Sequence, residues 1–145
     1  MKTRSAAVAL TIASSLTIAC TVHARSPEPV PVDRVECARC RMLISSDRGG
    51  GEIVSSSEET RFYDDIGCLA ADWTTHGPDA RPYVRIDGGR WSDAQLAFYA
   101  QPNGIQTAMA SGLAAFATAA EARAADRDAR ALTFDDVVRM RGAGR

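Results

Sequence analysis

Lysine is nearly missing from this chain. Lys2 is the only one in 145 residues, and it falls in an N-terminal stretch that reads as a removable leader. A mature protein without lysine cannot form a Schiff base or build a Walker-type phosphate loop. Basic charge is short in general. Seventeen Lys+Arg face 18 Asp+Glu in the whole chain, and setting aside Lys2 and Arg4 leaves a net charge of about −3. No basic footprint for nucleic acid remains. Beyond Ala19 no apolar run approaches the roughly 20 residues of a membrane span. A second Cys-x-x-Cys is also absent, which leaves a closed four-cysteine zinc site without ligands.

The N-terminus is where apolar residues concentrate. Met1-Lys2-Thr3-Arg4 is basic, and Ser5 to Ala19 is apolar or small without charge. This is the pattern of a secretory signal, whose apolar region runs about 7–15 residues. Two cleavage readings follow. Thr17-Ile18-Ala19-Cys20 reads as a lipobox, giving a signal peptide over 1–19 and a lipidated Cys20. Val22-His23-Ala24 reads as an ordinary small-residue site with cleavage after 24. The lipoprotein reading places a membrane-anchored domain on the periplasmic side of the cell envelope. The other gives a soluble periplasmic protein. Residues 20–34, with Pro27, Pro29 and Pro31, read as an extended tether. A single domain is expected over 35–141.

Within that domain, local patterning predicts strands at Glu52–Ser55, Arg61–Tyr63 and Tyr83–Ile86. A helix is expected after Asp64-Asp65, with Ile66, Leu69, Ala70 and Trp73 at i, i+3, i+4 and i+7. The second half offers apolar runs at Leu96–Tyr99 and Gly112–Phe116. A capping box follows at Thr118/Glu121, then a strand at Ala131–Phe134 and a helix at Val137–Met140. Phe62-Tyr63-Asp64-Asp65-Ile66 is echoed by Thr133-Phe134-Asp135-Asp136-Val137, as a duplicated β-β-α-β unit would show. Aspartates capping two helices explain the same echo.

Three cysteines fall in the domain: Cys37, Cys40 and Cys68. In an oxidising compartment paired cysteines are expected, and an odd number leaves one free or liganded. Cys37-x-x-Cys40 is open to four readings: a copper(I) site, a thiol-disulfide redox site, structural zinc with Cys68 and His76, or a structural disulfide. Met42 favours the first. In an extended segment it shares a face with Cys40, and soft sulfur donors select copper(I). Met109 sits among small residues outside any amphipathic helix, where loops carry function. Cys68 points away from the helix's apolar stripe, so it either faces the metal region or is a spectator, and the second reading is favoured. His76 is read as a surface residue favoured by the helix dipole.

These segments resemble the NosL family, lipoproteins that assist nitrous oxide reductase maturation. Cys37-Ala-Arg-Cys40-Arg-Met42 is similar to its Cys-x-x-Cys-Gly-Met, and Phe62 to Cys68 to its Phe-Asp-Asp-Ile-Gly-Cys. Trp91-Ser-Asp93-Ala94, Met109-Ala-Ser-Gly112-Leu-Ala-Ala115-Phe116 and Thr133-Phe134-Asp135-Asp136 resemble three further motifs in the same order. Arg41 stands where the family has Gly, and Ala108 where many members have Pro. Asp126-Arg127-Asp128-Ala129 replaces a His-Gly-Gly. The resemblance implies an α+β fold of two β-β-α-β units packed together, similar to the organomercurial lyase MerB. It implies a non-enzymatic copper(I) metallochaperone with Cys40, Met42 and Met109 as ligands, and Cys37 and Cys68 as secondary candidates. The implied partner is an ABC-type membrane assembly that serves nitrous oxide reductase.

Overall fold

The computed structural model describes residues 26–142. The signal segment, both cleavage readings, Cys20 and His23 lie outside the described residues. No described helix is long and apolar enough to cross a membrane.

The first unit runs β1 (Gly51–Val54), β2 (Arg61–Tyr63), α1 (Ile66–Trp73) and β3 (Arg81–Ile86). Every residue of β1 is buried because β2 and β3 flank it on both sides, each antiparallel. In β3, Pro82, Val84 and Ile86 turn inward while the residues between them are more exposed, the period-2 alternation of a strand with one covered face. A short 3-10 turn at Asp87–Gly89 returns the chain as β4 (Arg90–Asp93), which pairs with β3 from Tyr83↔Asp93 to Ile86↔Arg90. Trp91-Ser92-Asp93 is too short and polar to signal a strand by itself; the hairpin makes it one.

The second unit runs β5 (Phe98–Ala100), β6 (Ala114–Phe116) and α2 (Ala119–Ala125). The capping box is present, with Thr118 and Glu121 exchanging side-chain and backbone hydrogen bonds. The strand expected at Ala131–Phe134 reduces to one bridge, Tyr99↔Leu132. It stops there because Thr133 already begins the next helix. Thr133 and Asp136 exchange hydrogen bonds as a second capping box, so α3 spans Phe134–Gly142, longer than Val137–Met140. A parallel pairing of Ile86 with Ala115 joins the two units, giving the order β2-β1-β3-β6-β5 with β4 also on β3. The architecture is thus the α+β pair of β-β-α-β units expected.

One core runs through both units. Tyr63, Ile66 and Leu69 of the first meet Tyr99, Leu113 and Phe134 of the second, all of them buried. Phe134 stands between Trp73 and Tyr99 at ring distances of 6.1 and 6.0 Å and so ties α3 to α1 and the sheet. The buried hydroxyls are satisfied. Tyr63 donates to Asp72 at 2.6 Å and Tyr99 to the Ala94 carbonyl at 2.7 Å.

The proline-rich stretch before Val35 is attached to the domain at its end. Val30 packs on the core, and the Glu28 N–H donates to Glu52 Oε1 at 2.8 Å. Glu52 is fully buried within β1, and its Oε2 has no partner among the described residues. Burial pushes its carboxyl up to about 7, against the opposing pull of the Glu28 N–H. The folded state therefore favours the protonated acid. That contribution is complete below the ordinary Glu range near 4.5 and is lost as pH rises through about 7. Urea unfolding of wild type and Glu52→Gln at a series of pH values should isolate this component: the stability difference between them should move against the wild type by about 2 kcal/mol between pH 5 and 8.

Candidate metal centre

Cys37 and Cys40 lie on a tight hairpin loop. Glu36 bridges Leu43, the Cys37 N–H donates to the Met42 carbonyl at 2.8 Å, and the Arg41 N–H donates to the Cys37 carbonyl at 3.0 Å. Arg41 closes the loop in the left-handed region at φ 65°. Cys40 and Met42 are therefore not neighbours along an extended segment, as i, i+2 spacing suggests; a reversal of the backbone separates them. The Ala38 N–H donates to the Phe62 carbonyl at 2.8 Å, which fastens the loop to β2.

Cys68 lies in the first turn of α1. It is buried, with 7% of its surface exposed, and faces the Cys37 loop, the first of the two alternatives. Its side does turn from the sheet-facing stripe, but the Cys37 loop covers that side of the helix. The sulfurs of Cys37, Cys40 and Cys68 consequently lie within 4.8 Å of one another. All three cysteines are unbridged. Cys37 is fully buried and Cys40 is partly exposed, so the group opens to solvent at Cys40.

One negative charge suits this group better than three. The Cys68 thiol hydrogen-bonds to Cys37. Against the cost of burial, that bond and the N–H groups of Cys40, Asp64 and Arg39 bring Cys37 down to about 5. Cys68 moves up, because it gives its hydrogen bond to Cys37 and is buried beside that charge. Cys40 moves up through burial and its proximity to Cys37, partly offset by the Met42 N–H. At neutral pH the group is a buried thiolate with two thiols. A soft cation would displace the remaining protons on binding.

Met109 reaches the same region through Asp65. This residue caps α1, with Oδ1 accepting the Gly67 N–H at 2.6 Å. Its Oδ2 accepts the Thr107 hydroxyl at 2.7 Å, the Met109 N–H at 3.1 Å and the Ser111 N–H at 3.4 Å. The Met109 loop is thereby held against the helix turn that bears Cys68. Gly67 makes the close approach possible, since a Cβ there would lie 2.9 Å from the Ser111 Cβ. Asp65 has no exposed surface. Burial pushes its carboxyl up, but hydrogen bonds from Thr107, Ser111, Gly67 and Met109 outweigh that and hold it below the usual range. Met42 and Met109 are 51% and 44% exposed. The Met42 loop carries Cys37 and Cys40, and the Met109 loop is bound to the residue that caps the Cys68 helix.

His76 is not the surface residue expected. Its side chain is 6% exposed, stacked on Trp73 and directed at Asp72 at 3.5 Å. Asp72 already takes Tyr63 and Arg61. This network is separate from the three-cysteine group, so the Cys3His arrangement of structural zinc is not assembled among the described residues. The paired aspartates are helix-capping groups. Asp65 caps α1 directly, and Asp136 completes the box of α3.

No family model matches the chain, and no curated protein matches its sequence. A solved structure does: the copper chaperone NosL from Shewanella denitrificans is 17% identical, with a TM-score of 0.58 over 77% of this chain and 96% of that one. The chain has the NosL fold. One departure from the NosL motifs acquires a backbone meaning in this fold. Arg41, which stands where the motif has glycine, adopts a left-handed φ of 65°, and Ala110 adopts one of 52°. Neither is glycine, the residue that takes this region without strain.

Two stability measurements test these local accounts. Ala110 is exposed, so Ala110→Gly should raise stability by about 0.5–1 kcal/mol, the left-handed penalty less the entropy cost of glycine. Asp65→Ala removes a buried acceptor from four donors and should cost about 3 kcal/mol or more. Its amide exchange should quicken across residues 107–112.

Proposed function

We propose that this protein is a copper(I) metallochaperone and not an enzyme. The observation that carries the reading is the convergence of three thiols at one partly open position within a NosL-like fold. Thiolate and thioether donors prefer copper(I), whereas zinc seldom takes a thioether. A carrier must also release its cargo. Cys40 is the most accessible of the three sulfurs, and Met42 and Met109 are both exposed. Copper(I) held by Cys40 with Met42 and Met109 would lie where a partner's ligands can displace them one at a time. Cys37 and Cys68 lie behind as thiols that raise affinity without closing the site.

In this reading the protein works on the periplasmic side of the envelope, lipid-anchored through Cys20, and passes copper to an ABC-type membrane assembly that matures nitrous oxide reductase. The resemblance of the motifs to the NosL family supports that placement. Thiol-disulfide exchange is less well served. An attacking cysteine needs to be both exposed and acidic, but here the acidic thiol, Cys37, is fully buried and the exposed one, Cys40, is shifted up.

Anaerobic titration with copper(I) against a chromophoric chelator tests the assignment. One equivalent should bind. Cys40→Ser should weaken binding at least 100-fold, about 3 kcal/mol, and Met109→Leu about tenfold. Absence of binding, or an unchanged affinity with Cys40 and Met109 both replaced, would overturn the proposal.

A further inference from the structure

A cleft of about 650 Å³ lies beside the sulfur group, within the size range of small-molecule sites. Its floor is apolar, formed by Ile66, Ile86 and Leu113, and its polar side carries Arg48, Arg85, Gln106 and Thr107. The thiol site and the cleft share a wall. Asp64 lines the cleft, and its N–H is directed at the Cys37 sulfur. Their donor chemistry differs, however: sulfur on one side of the wall, nitrogen and oxygen on the other.

The charges of the cleft do not balance. Asp87 is engaged by Arg90 at 3.1 Å. Asp64 faces the cleft without an ion-pair partner, and Glu52 feels Arg85 without pairing with it. Among the described residues neither Arg48 nor Arg85 has a carboxylate within ion-pair distance, so two guanidinium groups outnumber one free carboxylate. Arg85 is also held in place. Its guanidinium carbon lies 3.8 Å over the Trp91 ring, and one nitrogen donates to the Gly89 carbonyl. Its Nε is enclosed without an acceptor. Its other terminal nitrogen has no partner among the described residues, and a guanidinium fixed by stacking with a free terminal nitrogen is a preformed receptor for an oxyanion.

We propose that this cleft binds a small organic carboxylate with an apolar body. The carboxylate is taken by Arg85 and Arg48, and the body lies over Ile66, Ile86 and Leu113. The hydroxyl of Thr107 and the amide of Gln106 stand on the polar side to complete the anion's hydrogen bonds. This proposal is independent of which metal the thiols take, because none of its ligand contacts is a sulfur.

The test is a titration of the full chain, reduced and metal-free, with benzoate, followed by amide chemical shifts. Saturable shifts are expected at Ser46, Ile86, Thr107 and Leu113. Benzamide, with the same ring and no charge, should bind at least tenfold more weakly. Arg85→Gln should weaken benzoate at least tenfold. If loss of the Trp91 stack prevents that variant from folding, exposed Arg48→Gln provides the same test and should weaken it severalfold. Arg34→Gln, outside the cleft, should leave binding unchanged. Non-saturating shifts, equal binding of benzamide, shifts centred away from the cleft, or full affinity in the foldable arginine variants would each overturn the proposal.

Discussion

Asp65 has no exposed surface and uses each carboxylate oxygen for a different part of the chain. One oxygen caps α1; the other gathers Thr107, Met109 and Ser111 from more than 40 residues away. A buried carboxylate is stable only when its acceptors are well filled, and four donors fill this one. The helix turn that bears Cys68 and the loop that bears Met109 are thereby held on one anchor. The remaining sulfur loop depends on the same corner, since its bond to the Phe62 carbonyl sets it over that turn. Removal of the Asp65 carboxylate would leave the strands in register but free two of the three segments around the sulfur group.

The sulfur group shows how a protein can keep soft ligands together without sealing them. Three full negative charges at this spacing would repel strongly in a buried setting. The group instead carries one thiolate, at Cys37, stabilised by Cys68 and by backbone N–H groups. A cation that binds replaces protons, and its own charge offsets the thiolates it creates. Cys40 remains the opening because it ends a hairpin turn rather than entering the helix. The left-handed Arg41 lets the chain turn away at that point. In the proposed function, the exposed Met42 and Met109 are the donors most readily exchanged with a partner.

Much of both units was legible along the chain. Alternation marked β3, the i, i+3, i+4, i+7 pattern marked α1, and Thr118/Glu121 marked the start of α2. The echo of Phe-x-Asp-Asp-Ile in Phe-Asp-Asp-Val also pointed to two strand-to-helix junctions. Their chemistry differs nevertheless: Asp65 caps α1 alone, whereas Thr133 and Asp136 share the work at α3. The strand expected at Ala131–Phe134 was lost to that second box, because a side-chain acceptor at a helix start competes with the sheet for the same backbone. β4 was not legible because its pairing with β3 comes from the hairpin and not from its own residues.

For the candidate site, the sequence by itself determined which residues are available: three cysteines and two loop methionines as candidate ligands, and an aspartate that heads α1. The left-handed positions of Arg41 and Ala110 came from the structure. Only the tertiary structure decided which of the candidate residues meet. Cys68 seemed idle because helical spacing reports the face that meets the sheet and is silent on what covers the other. His76 seemed exposed because its place at a helix end does not say whether Trp73 and Asp72, one turn back, stack on it and bind it. Local patterns record interactions over about four residues, the reach of a helix turn or a strand alternation. The sulfur group and its aspartate anchor join segments some 30 to 45 residues apart, and those distances are closed only when the two β-β-α-β units bury a common core.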